Sequence, residues 1–312
     1  METYSFVIPC YNEEADIAAT IAACLDQDFD DSYEVIIIDD ASNDSTAQVI
    51  NSFNDYRIKY LRNKINKGVA YSRNRGIQVA NGSVIAFINA DELPGRNYLK
   101  CVNRLFSGGA DYIFPQTIVK NIDTPYGLYR QAYRLYTYYR NNLVMWSQGF
   151  CCKKTVLERV GLFRECYPGC GGEDWDIVTK IDQMAFCRVV DLSIVVHHTL
   201  PCRRSAIVWH MFNRGRGTAY YDLYCKQINP SIFLLEKIIK TGCLVGCSVI
   251  SIYCLPILLI LYMINTIKKI TGMLKVVSHP KAILWIPTME IVNSIIRTTG
   301  YYHTIIKAVL KI

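Results

Sequence analysis

Phe6-Val7-Ile8-Pro9-Cys10-Tyr11-Asn12-Glu13-Glu14 carries the reading of this chain's fold. An apolar run stops and polar residues follow at once, the pattern of a buried strand opening onto a ligand-binding edge. The pattern recurs twice. Val35-Ile36-Ile37-Ile38 runs into Asp39-Asp40-Ala41-Ser42, and Val84-Ile85-Ala86-Phe87-Ile88 runs into Asn89-Ala90-Asp91-Glu92. Continuous apolar runs of this kind read as strands buried on both faces. Between them the sequence predicts helices over residues 13–26, 45–54 and 68–80, and another strand over 58–61. Strands alternating with helices predict an α/β fold, with a mainly parallel sheet and right-handed crossovers.

Working outward, residues 97–105 read as a helix and 112–114 as a strand. Residues 128–140 are dense in tyrosine, and Tyr129, Tyr133 and Tyr136 fall at helical spacing, which reads as an amphipathic packing face. A helix over 174–183 and a strand over 187–196 complete this part, with Pro9 expected to end the first strand.

Charge divides the chain. Residues 1–200 carry a net −4 and residues 201–312 a net +11, within the overall +7. The acidic front suits a domain that gathers a divalent cation. The basic tail alternates with long apolar runs, which points to an anionic membrane surface and away from nucleic acid. Residues 241–264 hold no charge and are flanked by Lys237, Lys240, Lys268 and Lys269, long enough to cross a bilayer that needs ~20 apolar residues. Residues 282–312, interrupted by Glu290, Arg297, His303 and Lys307, read as interfacial amphipathic helix. The expected organisation is therefore residues 1–230 as the α/β domain and 231–312 as a membrane-associated helical region. The amino terminus enters a strand directly, so the α/β domain is expected in the cytoplasm, at the cell membrane. Thirteen cysteines with no C-x-x-C pair read as reduced, mostly buried thiols and not as a zinc or disulfide framework.

The ordered set of strand-end phrases, with Gly171-Gly172-Glu173-Asp174-Trp175-Asp176 downstream, resembles the family 2 glycosyltransferases of GT-A fold over about residues 4–220. The resemblance implies a nucleotide-sugar donor, Mn²⁺ or Mg²⁺, and inverting transfer. It assigns Pro9, Tyr11 and Glu13 to the floor under the nucleotide, Asp39 to the base, and Arg73 to a nucleotide contact. Asn89-Ala90-Asp91 stands where the family has Asp-x-Asp, so Asn89 brings an amide where a carboxylate is usual, and Asp91 is the expected metal ligand. His197 is the expected histidine of the metal site. Arg214-Gly215-Arg216-Gly217 resembles a basic loop on the donor diphosphate. Glu173-Asp174 resembles the catalytic pair, with Asp174 as base and Glu173 orienting the acceptor.

Several residues have simpler readings. Asn43-Asp44-Ser45 suits a helix cap, Glu173-Asp174 suits the acidic first turn of a helix, and Arg214 and Arg216 suit a basic face on lipid. The expected acceptor is a lipid-linked sugar or polyprenyl phosphate, and the alternative is an inactive scaffold that binds nucleotide sugar or lipid. A dinucleotide oxidoreductase is excluded because no G-x-G-x-x-G follows the first strand. A processive synthase lacks its Gln-x-x-Arg-Trp phrase here.

Overall fold

The computed structural model describes residues 2–141, 148–167, 171–224 and 254–310. It forms two compact units, residues 1–121 with 144–200, and residues 122–143 with 201–312. The division thus falls near residue 200 and not near 230, with one earlier helix assigned to the second unit.

The first unit runs β1 (Tyr4–Cys10), α1 (Ile17–Leu25), β2 (Tyr33–Asp39), α2 (Thr46–Asn51), β3 (Ile58–Arg62), α3 (Val69–Val79) and β4 (Val84–Phe87). It continues with β5 (Glu92–Pro94), α4 (Tyr98–Ser107) and β6 (Tyr112–Val119). After the helix α5 (Pro125–Asn141) of the second unit come β7 (Cys151–Lys153), α6 (Lys154–Arg159), α7 (Glu173–Asp182) and β8 (Arg188–His198). The strands form one sheet in the order β3-β2-β1-β4-β7-β6-β8-β5. Pairing is parallel from β3 through β4 and between β6 and β8, while β7 and β5 run against their neighbours. The α/β expectation is met.

Burial explains the order. Every residue of β1 is buried, and Val35 to Ile38 of β2 are wholly buried, so these central strands take helices on both faces. Phe6 meets Tyr33 edge-on and lies beside Tyr98, and Phe87, Phe150 and Phe114 form a stacked row under β4 and β7. Pro9 does not end β1, which continues to Cys10. Pro9 faces the same neighbour as Val7, whose carbonyl accepts from Ile88 N–H, and the β1–β4 pairing stops at Val7. The missing N–H of Pro9 therefore costs no ladder bond.

The second unit holds α5, α8 (Arg204–Tyr224), α9 (Cys254–Lys275) and α10 (Ala282–Leu310). Arg214-Gly215-Arg216-Gly217, expected as a loop, lies inside α8. Gly215 has a packing reason to be there: a Cβ would come within 2.0 Å of the Arg297 carbonyl oxygen on α10. Gly300 of α10 likewise abuts the Phe212 carbonyl of α8. The two glycines let these helices cross backbone to backbone, at ~1 kcal/mol of helix propensity each. Residues 282–310, expected as one or two helices, form one, with Pro287 inside its first turns. The uncharged stretch 241–264 lies largely outside the described residues, and among the described residues no helix is long and apolar enough to cross a membrane.

Candidate active site

The loops that leave β1 and β2 are laced together. Asn12 N–H donates to Ser42 Oγ at 3.0 Å, Asn43 N–H to Asn12 Oδ1 at 2.9 Å, and Glu13 N–H to Thr46 Oγ1 at 2.8 Å. Asn12 and Ala41, one in each loop, both take positive φ, at 57° and 63°. Asparagine tolerates that region; alanine there is strained, and the lacing holds it. Tyr11 stands at this floor, 44% exposed.

The paired aspartates at the end of β2 have separate tasks. Asp40 accepts from Lys67 N–H, Gly68 N–H and Asn63 Nδ2, so it fixes the entry to α3. Asp39 is wholly buried and accepts from Ser42 N–H and the Tyr60 hydroxyl. A carboxylate has about four acceptor sites, so two bonds leave room for a ligand N–H.

Arg73 is deeply buried. Its Nη1 donates to Glu173 Oε1 at 3.0 Å and its Nη2 to Asn89 Oδ1 at 3.0 Å. The expected nucleotide contact is thus a bridge between the end of β4 and the start of α7. Asn89 answers from the other side, its Nδ2 donating to Glu92 Oε1 at 2.7 Å and its N–H to Glu92 Oε2 at 3.0 Å. The amide is matched at both ends, because it donates to Glu92 and accepts from Arg73 with one side chain, which an ionised carboxylate cannot do. Glu92, wholly buried, brings back one residue past Asp91 the carboxylate that Asn89 lacks. Sequence reasoning missed it.

Asp91 Oδ2 lies 3.0 Å from His198 Nε2. The histidine that lies beside Asp91 is therefore His198, where His197 was expected. β5 pairs with β8 so that Glu92 lies opposite His198 and Leu93 opposite His197. Side chains alternate along a strand, so His197 is turned to the other face. Ligand atoms of Asp91, Glu92 and His198 all lie within 4.8 Å of one another. Two carboxylates and an imidazole suit a hard or borderline divalent cation such as Mg²⁺ or Mn²⁺. The electrostatics fit as well: burial, then Asp91, Asp16 and Asp44, push Glu13 up to about 8, a crowding of negative charge that a cation relieves.

Gly171 and Gly172 take φ of 125° and 99°, and Gly172 caps α7. Glu173 is buried, with Gly171 N–H on its Oε2 at 2.7 Å. Burial, then Asp174, raise its proton affinity, and Arg73 pulls it back. Asp174 is half-buried and Trp175 is exposed. Asp176 is buried and pairs with Arg164 at 3.3 Å and Lys180 at 3.7 Å, so it anchors the helix. Of the two expected catalytic carboxylates, Glu173 is the buried one, bonded to Arg73, and Asp174 is the more exposed, accepting from Trp175 N–H at 2.8 Å. Arg214 and Arg216 lie in the second unit, where Arg216 Nη1 donates to Asn213.

The description "Glycosyl transferase family 2" matches residues 5–167. A relative from Escherichia coli, UDP-Glc:alpha-D-GlcNAc-diphosphoundecaprenol beta-1,3-glucosyltransferase WfgD, is 29% identical over 172 residues, 55% of this chain and 66% of its own. A second from Escherichia coli, WfaP, named for the same activity, is 39% identical over 92 residues, 30% of this chain and 36% of its own. The chain therefore spans less than two thirds of either relative. Among solved structures, a mannosyltransferase from Pyrobaculum calidifontis with GDP-Man and Mn²⁺ aligns with TM-score 0.57 and 19% identity over 99% of this chain and 86% of its own. S. aureus TarS 1–349 with UDP-GlcNAc aligns with TM-score 0.54 and 19% identity, over 72% of this chain and 67% of its own. Both likenesses are of fold, and they agree with a GT-A-like α/β sheet.

Proposed function

From the premise that this chain belongs to the family 2 glycosyltransferases, we propose that it moves a sugar from a nucleoside-diphosphate donor to an acceptor hydroxyl, with inversion at the anomeric carbon. Asp174 takes the proton of the acceptor hydroxyl. The acceptor oxygen then bonds to the anomeric carbon as the bond to the donor diphosphate breaks, and the nucleoside diphosphate leaves. Tyr11 stacks on the nucleobase, and Asp39 accepts a hydrogen bond from it. Asp91 and His198, with Glu92 behind them, would hold a divalent cation. Such a cation neutralises the diphosphate charge when bound.

The observation that supports this reading most is the Arg73 bridge, with Glu173 on one nitrogen and Asn89 on the other. It ties the α7 start, which carries Asp174, to the strand end that carries Asp91. The reacting centre and the diphosphate pocket are thereby kept in one register. Glu173 acts as a positioning residue, holding the first turn of α7 through Arg73.

The acceptor we propose is a lipid-linked sugar, in keeping with the GlcNAc-diphosphoundecaprenol named for the two relatives, met at the cytoplasmic face of the cell membrane. Transfer from radiolabelled UDP- and GDP-sugars to lipid extract, with donor hydrolysis as a second readout, tests the reading. Activity that is absent from wild type, or undiminished in Asp174→Asn, would refute it. The first result would leave an inert binding scaffold.

A further inference from the structure

The second unit contains a cleft of about 340 Å³ between α8, α9 and α10. Thr218, Lys269, Glu290, Asn293, Ser294 and Arg297 are among the residues that line it, two cations and one acid with hydroxyls and an amide between them. The acids close to it are committed. Glu290 accepts from Lys269 Nζ at 2.6 Å and from the Tyr129 hydroxyl at 2.8 Å, and Asp222 accepts from the Tyr301 hydroxyl at 2.7 Å.

Arg297 is different. Its Nη2 reaches Thr218 Oγ1 at 3.3 Å, and its Nε is buried with no hydrogen-bond partner. No carboxylate lies within ion-pair distance of it among the described residues. The acid whose charge reaches it, Glu290, is already engaged by Lys269 and Tyr129, so a further anion in the cleft would balance Arg297 more fully.

More positive charge lies behind the wall. Arg130, 4% exposed, is held below the usual guanidinium range, at about 10, by burial and then by Arg214. Arg297 is lowered for the same two reasons. Tyr133 reports the local field most clearly. Burial acts to raise its phenol, yet Lys269, Arg214, Arg297 and Arg130 together bring it below its ordinary value. Lys269 Nζ sits 4.8 Å from the centre of the Tyr133 ring. The crossing at Gly215 and Gly300 sets Arg297 against α8 at the level of Arg214 and Thr218, so the sequence accepts two weak helix positions to assemble this cluster.

We infer that this cleft is an anion site built for a phosphate or diphosphate group, with Arg297 as its principal donor and Thr218, Ser294, Asn293 and Lys269 around it. Guanidinium binds phosphate oxygens through paired hydrogen bonds, and hydroxyls fill the remaining acceptor positions. The inference stands on the helical unit alone. Assigning the phosphate to an acceptor or to a donor would rest on the transferase reading.

The test is calorimetric titration of the full chain with inorganic pyrophosphate in EDTA, which silences the cation-dependent site. The expected result is saturable binding, about tenfold or more weaker in Arg297→Gln, since a hydrogen bond to a charged group is worth that much. Ser294→Glu places a carboxylate one helical turn from Arg297. It should raise the melting temperature and abolish pyrophosphate binding, and it keeps the test valid where Arg297→Gln fails to fold. Farnesyl diphosphate and UDP identify the source. Displacement of pyrophosphate by farnesyl diphosphate alone supports a lipid-borne phosphate at this site, and displacement by UDP supports a nucleotide's. Absence of saturable binding, or equal binding by wild type and both variants, would overturn the inference. Neither outcome depends on turnover, so failure of the transferase reading is distinguishable.

Discussion

In the α/β unit, burial first, and then the charges of Asp91, Asp16 and Asp44, push the Glu13 carboxyl up to about 8. In the helical unit, Lys269, Arg214, Arg297 and Arg130 crowd around Tyr133 until its phenol ionises more readily than usual despite burial. Each region carries an excess of one sign in a place where water cannot fully screen it. The first calls for a cation and the second for an anion. The two differ in how completely the protein answers itself. Around Asn89, Arg73 and Glu173, the two terminal nitrogens of Arg73 and the amide nitrogen of Asn89 each reach an acceptor, so these side chains hold one another in place. Arg297 has a longer bond, Nη2 to Thr218 Oγ1 at 3.3 Å, where Arg73 has two of 3.0 Å, so its order depends more on what binds.

The comparison breaks most severely at Asp174. Asp174→Asn should lower transfer by about 10²–10⁴-fold, the range of a lost general base, while nucleotide affinity and melting temperature stay near wild type. Kinetics with a fixed donor measure it, and a loss of fold in place of a loss of rate would mean that the residue is structural.

A second substitution tests whether the α/β site is self-matched. Asn89→Asp restores the family's usual acid, yet it should reduce activity about tenfold and lower the melting temperature. It sets a carboxylate against Glu92 Oε1, to which the amide nitrogen now donates, while the backbone N–H still serves Oε2. Asn89→Asp with Glu92→Gln should recover most of the loss. A gain of activity in the single variant would show that Glu92 is not the compensating acid.

The smallest effect concerns pH. Glu13 has its pKa raised from 4.5 to about 8, so across that window the folded protein binds more protons than the unfolded chain. Stability without divalent cation should therefore fall as pH rises from about 5 to about 8. Mn²⁺ should flatten the curve, and Glu13→Gln should remove that part of the slope. Melting curves at several pH values in EDTA and in Mn²⁺ make the comparison.

Much of the first unit was legible because buried central strands have an unmistakable composition. Val35 to Ile38 cannot be anything but a strand when a helix of four β-branched residues would be both short and unfavourable, and Asp39 follows at its ligand-facing end. Histidine choice was not legible. His197 and His198 differ only in face, and the face depends on β5, a three-residue strand too short to show a period. Glu92 was hidden for the same reason. The Arg214-Gly215-Arg216-Gly217 run misled because glycine usually marks a turn, whereas here it marks contact between two helices distant in sequence. Arg73 read as a ligand contact because an arginine's partner cannot be told from its own neighbours. Glu173 lies a hundred residues away.

The most direct measurement is calorimetric titration of the full chain with UDP and GDP, each in Mn²⁺ and then in EDTA, for wild type and Asp91→Ala. The account predicts that Mn²⁺ tightens one nucleotide by about tenfold or more and that Asp91→Ala erases the gain. Equal affinity in Mn²⁺ and EDTA, or a gain that survives in Asp91→Ala, would contradict the cation site at Asp91 and His198 on which the proposed chemistry depends.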